Sequence, residues 1–263
     1  MDKDSNYLTN CNTGTYEEIA RACIQSKKNK KDVKSNYKDP DSDSPKLYED
    51  MKNFLEQRLK ECPLNGKFKI SGIELFEKYR RKELLIHVND DKDNHVYDII
   101  AATDYIGYST LRAYNEGKNF SQIGELLRLS RVLGGHMIWP TRIKDMKTGL
   151  WVVASEKVNG EFVEYATVNC WKGTHLKDRI DWTLFRLNEW YTEPENGDGF
   201  KYVFKKYHIF FELFADFREF IDFFCLGAFV TEDYQVKKLQ DMQKVKDAIQ
   251  ERNTEMWEKI NSK

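Results

Sequence analysis

A run of aromatic residues in the C-terminal third limits what this chain can fold into more than any other feature. Phe200, Val203, Phe204, Tyr207, Phe210, Phe211, Phe214, Phe217, Ile221 and Phe224 follow one another at steps of one, three or four, the spacing that gathers side chains on one face of a helix. A large exposed aromatic face invites aggregation or a partner. The run therefore predicts a core helix, with an aromatic binding groove as the alternative. Hydrophobic residues make up 40% of the 263 positions and aromatic residues 14%, enough to enclose such a stripe in one domain carrying appendages.

The preceding sequence supplies the layers that cover it. Tyr16-Glu-Glu after Thr15 suggests a short helix through Ile19, Ala22 and Cys23. Ser44 followed by Pro45 is a second helix start, continued by Leu47, Met51, Phe54, Leu55 and Leu59 until Cys62-Pro63. Apolar stretches around Phe68 and Ile70, from Leu84 to Val88 and from Val96 to Ile100, separated by polar turns, predict an antiparallel meander. Asn119 to Leu133 predicts a helix broken by Gly134-Gly135, and HMIWP a short buried strand. Asn159-Gly160 predicts a hairpin joining Leu150–Val158 to Glu161–Val168 through a primed turn.

A further helix begins near Asp178 and ends before Glu193-Pro194. Ile180, Leu184, Leu187 and Tyr191 share its apolar face, with Thr183 and Arg186 off that face. Val236 to Ile260 predicts an amphipathic helix that packs on the domain or pairs with a partner. The sum is an α+β fold: a single domain over 38–234 with a short, mainly antiparallel sheet packed by helices and a mostly helical C-terminal half. A polar, basic arm with a short helix (1–37) precedes it, and a C-terminal helix (235–263) follows.

Charge narrows the function classes. Lys plus Arg number 42 against 43 for Asp plus Glu, so no global basic field gathers nucleic acid. Lys27, Lys28, Lys30, Lys31 and Lys34 form a local basic cluster without interleaved aromatics, which reads as a solvated stretch. No apolar run approaches the roughly 20 residues of a membrane span, and the polar start does not read as a signal peptide. A cytoplasmic protein with no membrane association is expected. Five scattered cysteines suit reduced thiols.

The residues whose chemistry packing does not explain lie between Arg131 and Tyr191. Asn169 and Lys172 sit in a turn ahead of Asp178, Arg179 and Asp181 at a helix start. Asp178 can cap that helix and Asp181 can favour the positive end of its dipole; alternatively the five groups hold a charged ligand. His136 is a sixth candidate, weighed against a hydrogen-bonded core histidine. Asp216 is read as lying inside the aromatic helix, where Arg218 can pair with Asp222. Cys and His residues are too sparse for zinc. No phosphate loop, nucleophile elbow or acidic metal triad is present, so neither a metal nor a cofactor is expected.

KDPDSDSPKL, LNGKF, TDYI, GGHMIWP, TVNCWKG, DRIDWTLFRLNEWY and YHIFFELFADFREFIDFFCLGAFV together resemble a family of uncharacterised bacterial proteins, some of them in mobile elements, described as a domain of unknown function. The likeness runs from about Lys38 to Val236. Where the family pattern carries Gln and Arg, this chain has Cys170 and Lys172, and lysine offers a point charge in place of a planar guanidinium. The resemblance implies a fold and an extent rather than an activity. The leading expectation is a non-catalytic protein-binding protein, with a protein partner or as a homo-oligomer, in phage or mobile-element conflict with a host. The alternative is a nucleotide- or nucleic-acid-binding enzyme or sensor using the Asn169, Lys172, Asp178, Arg179 and Asp181 cluster.

Overall fold

Alternating apolar residues in the first half of the chain build the expected meander. The computed structural model describes residues 7, 16–29, 44–78, 81–90, 92–152, 155–158, 161–164, 176, 178–193 and 206–262. In it, β1 (Lys69–Lys78), β2 (Arg81–Asp90), β3 (His95–Tyr105) and β4 (His136–Asp145) form one antiparallel sheet in sequence order. Ile73, Ile86, Ile99 and Ile143 fall in one row across all four strands. All four are buried, so a one-residue slip would turn the row to the opposite face.

HMIWP opens a ten-residue strand, longer than expected. Pro140 is accommodated because the ladder is irregular beside it: Ile100 pairs with Arg142 and Ala101 with Pro140, leaving Thr141 as the extra residue. A bulge tolerates a residue with no N–H. The Thr141 hydroxyl donates to the Ile100 carbonyl at 2.9 Å.

Around the sheet lie α1 (Tyr16–Asn29), α2 (Pro45–Glu61), α3 (Thr110–Asn115), α4 (Phe120–Leu129), α5 (Ile180–Thr192), α6 (His208–Phe211), α7 (Phe217–Phe223) and α8 (Met242–Asn261). The domain is α+β with a largely helical second half. Ser44 caps α2, its hydroxyl accepting from the Leu47 N–H at 3.2 Å, with Pro45 at the first helical position. Asn119 and Gln122 close a reciprocal capping box on α4. That helix stops at Leu129, short of the expected Leu133, and Gly134-Gly135 form a 3-10 turn instead.

The hairpin is present, described as β5 (Ser155–Val158) and β6 (Glu161–Glu164) with Val158 opposite Glu161. Asn159, Gly160 and residues 165–168 lie outside the described residues. Trp151 belongs elsewhere, bridging to Lys144 at the end of β4.

From Tyr207 onward the aromatic run is core, but it is not one helix, and Phe200, Val203 and Phe204 lie outside the described residues. Asp216 has extended backbone and caps α7, its carboxylate accepting from the Glu219 N–H at 2.9 Å. Glu219 in turn accepts from the Asn65 backbone N–H at 2.8 Å. These polar contacts divide the run into α6 and α7, so Asp216 is a cap and not a mid-helix carboxylate. Nor does Arg218 pair with Asp222: Asp222 accepts from the Tyr234 hydroxyl at 2.9 Å, and Arg218 lies over the Tyr234 ring. The fold-back stacks Phe210, Phe211, Phe214, Phe220, Phe223 and Phe224 edge to face and tilted, against Trp139 of β4. Such ring pairs add about 0.5–1.5 kcal/mol each beyond burial.

Two arginines tie off the end of α7. Arg58 of α2 donates to the carbonyls of Asp222 and Phe223 at 3.0 and 3.2 Å. Arg252 of α8 donates to those of Phe224, Gly134 and His136 at 3.0, 2.6 and 2.7 Å. The terminal helix is thereby docked in the core, although it begins at Met242 rather than Val236, which instead pairs with Val230. Gly134 permits the contact: a Cβ there would stand 2.3 Å from the Asn253 backbone nitrogen. Gly66 does the same for the LNGKF turn, where a Cβ would meet the Glu212 carbonyl at 2.3 Å.

Candidate functional site

The segment leaving β3 turns through Ile106, Gly107 and Tyr108 before α3, and neighbouring chain pins it on both sides. Ile106 donates to the Gly135 carbonyl at 2.6 Å, Gly107 donates to that of Leu176 at 3.1 Å, and Tyr108 bridges to Arg179. The start of α5 is thus held beside the end of β3. On the other side α1 leans on α3 and α4, burying Ala20 and Ile24. Gly124 allows the approach, since a Cβ there would lie 2.9 Å from the Glu17 nitrogen. Arg21 covers the Phe120 ring at 4.1 Å and Lys28 the Tyr114 ring at 4.0 Å.

Between these elements lies a cavity of about 230 Å³. Tyr16, Ile19 and Cys23 of α1 form one wall, and Leu126, Leu127 and Ser130 another. Arg131 is 5% exposed, and its guanidinium lies 3.7 Å from the centre of the Tyr105 ring. Lys27 and Asp178, both exposed, bring opposite charges to the mouth.

Most hydroxyls around the cavity are committed within the chain. The Ser130 hydroxyl donates to the Leu126 carbonyl at 2.9 Å. That of Tyr108 donates to the Glu116 carboxylate at 2.8 Å. Burial, and then that hydrogen bond, push the Tyr108 phenol up to about 12. The hydroxyl of buried Thr110 makes no hydrogen bond to the protein.

The residues expected at the site separate. Asp178 lines the cavity. It is not the cap of α5: Arg179 occupies the cap position, with no side-chain cap bond. Arg179 instead forms a two-pronged ion pair with Asp181, at 2.8 and 3.0 Å, and the bond to Asp181 holds the guanidinium pKa above its ordinary value. Asp181 is buried in the first turn, where it also accepts from the Trp182 and Leu239 N–H groups at 3.0 and 3.3 Å. These two groups staple α5 to the segment before α8. His136 is fully buried, edge-on to Tyr7. Asn169 and Lys172 lie outside the described residues.

Sequence reasoning missed Arg131, Tyr105 and Thr110. It read Lys27 only as part of a solvated run. Thr183, placed off the apolar face of α5, is fully buried, while Trp182 and Phe185 on the outer face are 40% and 49% exposed. Arg186 pairs with Glu189 at 2.7 Å. Among the described residues no group of three or more His, Cys, Asp or Glu side chains is placed to hold a metal ion, and no helix is long and apolar enough to cross a membrane.

A search of curated proteins returned no match, and a search of solved structures returned none. A family model does match, over residues 24–262, which takes in the sheet, the helices from mid-α1 onward, and most of the cavity. The chain therefore belongs to the family of unknown function DUF6994.

Proposed function

We propose that this protein acts by binding rather than by catalysis, and that it holds a small organic molecule in the cavity between α1, α4 and the turn after β3. The observation that carries the reading is the cavity wall: a buried guanidinium laid on an aromatic ring, beside aliphatic side chains. A concave, mostly apolar space with a few placed polar groups is the usual form of a ligand site. That Arg179 and Asp181 satisfy each other and the backbone supports a ligand at the cavity, near Asp178, over one held by those two side chains.

Thermal denaturation of the full chain against a library of one- and two-ring metabolites tests this. Binding to the native state raises stability by mass action, so at least one compound class should raise the Tm. Leu127→Trp, which fills the cavity, should abolish that rise while the protein stays folded. A rise of equal size in Leu127→Trp, or none with any compound, overturns the reading.

A protein partner is a second reading, in the mobile-element and host conflict already considered. It rests on Trp182 and Phe185, exposed on α5 with Arg186 stacked over both rings. Trp and Arg dominate interface energetics. Trp182→Ser together with Phe185→Ser should then abolish a stoichiometric complex recovered by crosslinking; an unchanged complex contradicts it.

A further inference from the structure

We infer that Cys23 makes the cavity a covalent trap, and that the compound it captures is an α,β-unsaturated carbonyl on a compact apolar or aromatic body. This rests on the cavity reading above.

Two independent observations meet in the same space. Cys23 of α1 is a free, half-buried thiol on the cavity wall. Thr110, at the start of α3, lines the same cavity, is 8% exposed, and has a hydroxyl that no protein group satisfies. A buried hydroxyl without a partner is costly unless a guest completes it, and a carbonyl oxygen does so by accepting its proton. The Ser130 and Tyr108 hydroxyls are already committed, which leaves this contact to Thr110. Lys27 follows Cys23 by one helical turn and lines the cavity with it; side chains at that spacing have Cβ atoms about 5–6 Å apart on one face. Asp178, of opposite charge, belongs to the segment ahead of α5 and not to the face that carries the thiol.

The wall selects the body of the compound. Ile19, Leu126 and Leu127 are aliphatic, and Tyr16 and Tyr105 add aromatic surface. The volume of about 230 Å³ falls below the roughly 300–1,000 Å³ usual for drug-sized ligands, which favours a body of one ring. Among the other described cysteines, Cys225 is enclosed in the core, and Cys62 is half-buried but does not line this cavity.

The chemistry is a conjugate addition. The Cys23 sulfur bonds to the β-carbon, the carbon–carbon π pair moves to the carbonyl oxygen as an enolate, and the proton lost by the thiol ends on the α-carbon. No group leaves and no oxidant or reductant is needed. The Thr110 hydroxyl donates to the oxygen on which charge develops, and the Lys27 ammonium, on the thiol's own helix face, favours the same charge.

The test is labelling of the full, reduced chain with N-phenylmaleimide against N-methylmaleimide, followed by peptide mapping. The two reagents carry one electrophile on bodies of different size, and Cys62 in the same molecule is the control. The phenyl-to-methyl rate ratio at Cys23 should exceed that at Cys62 on the order of tenfold, since the cavity holds the ring beside the thiol. The rate at Cys23 should also saturate with N-phenylmaleimide concentration. Leu127→Trp should bring the ratio down to the Cys62 value. Should that variant fail to fold, Thr110→Val serves in its place and should slow capture several-fold at Cys23 with no change at Cys62.

Equal ratios at the two cysteines, or an excess at Cys23 that survives both Leu127→Trp and Thr110→Val, overturn the inference. N-phenylsuccinimide, the saturated and unreactive analogue, separates this failure from that of the cavity reading. If it raises the Tm of the wild-type chain but not of Leu127→Trp while the labelling ratios are equal, the cavity reading stands and covalent capture fails. If it raises neither and the ratios are equal, the compound class is wrong, and the metabolite library decides the cavity reading separately.

Discussion

Around α7 and α8, Arg252 is enclosed by backbone carbonyls and aromatic rings, whereas beside α1 and α4, Arg131 lies on Tyr105 next to a cavity. Both arginines are buried. Burial pulls the Arg252 guanidinium down to about 10, still charged at neutral pH, and its carbonyl partners all lie within the chain. It joins the terminal helix, the 3-10 turn before β4 and the end of α7. The neighbourhood of Arg131 keeps space that its own side chains do not fill. The two buried arginines differ in the volume left beside them rather than in residue type.

The largest expected effect separates the two arginines. Arg252→Ala leaves three buried carbonyl acceptors without their donor, at about 1–3 kcal/mol each, and should cost about 3–5 kcal/mol in urea unfolding. Arg131→Ala, which removes packing on Tyr105 together with the arginine's own polar contacts, should cost less, about 1–3 kcal/mol. Equal losses would erase the distinction.

Overpacking sharpens it further. Leu226→Phe, in the filled aromatic region, should cost about 1–3 kcal/mol, and Leu127→Phe, beside the cavity, less than about 1 kcal/mol. Thermal melts of the pair decide the point.

The effect that vanishes at neutral pH is alkaline. Burial pushes the Cys225 thiol from 9.0 up to about 12. Because its folded-state value lies above the unfolded one, the associated stability is complete below about pH 9 and drains away as pH rises toward 12. Replacing Cys225 with Ala should make the stability profile flatter between those limits, as followed by urea midpoints. A profile unchanged by the substitution would place the alkaline sensitivity on other groups.

The elements that were legible in the sequence are those whose signals are local. Ser44-Pro45 starts a helix where the hydroxyl accepts the Leu47 N–H, and Leu84, Ile86 and Val88 of the meander alternate because one face is buried. Misreadings arose where two local signals compete. The spacing from Tyr207 to Phe224 is helical, yet Asp216 with Glu219 after it is also a cap signature, and the cap divides the run. At the site, Asp178 could be found because it stands at a helix start. Arg131 reads as an ordinary cation at the end of α4, a place where basic residues complement the helix dipole. Its burial depends on α1 and on Tyr105, brought to it by tertiary packing, and sequence spacing carries no trace of that. Thr183 was misplaced for a similar reason: helical periodicity names the apolar stripe but not how many neighbours enclose the helix.

Tyr7 carries a lesson about where this unit begins. Its N–H donates to the Arg131 carbonyl at 3.0 Å, its hydroxyl donates to the buried Asp50 carboxylate at 2.7 Å, and its ring meets His136. The stretch recognisable by family likeness starts only at residue 24, midway along α1. Trimming the chain to that boundary would remove half of the cavity-bearing helix and withdraw one of two donors to the buried Asp50 carboxylate, leaving Lys46 as the other. The residues that pack together reach beyond the stretch that can be recognised.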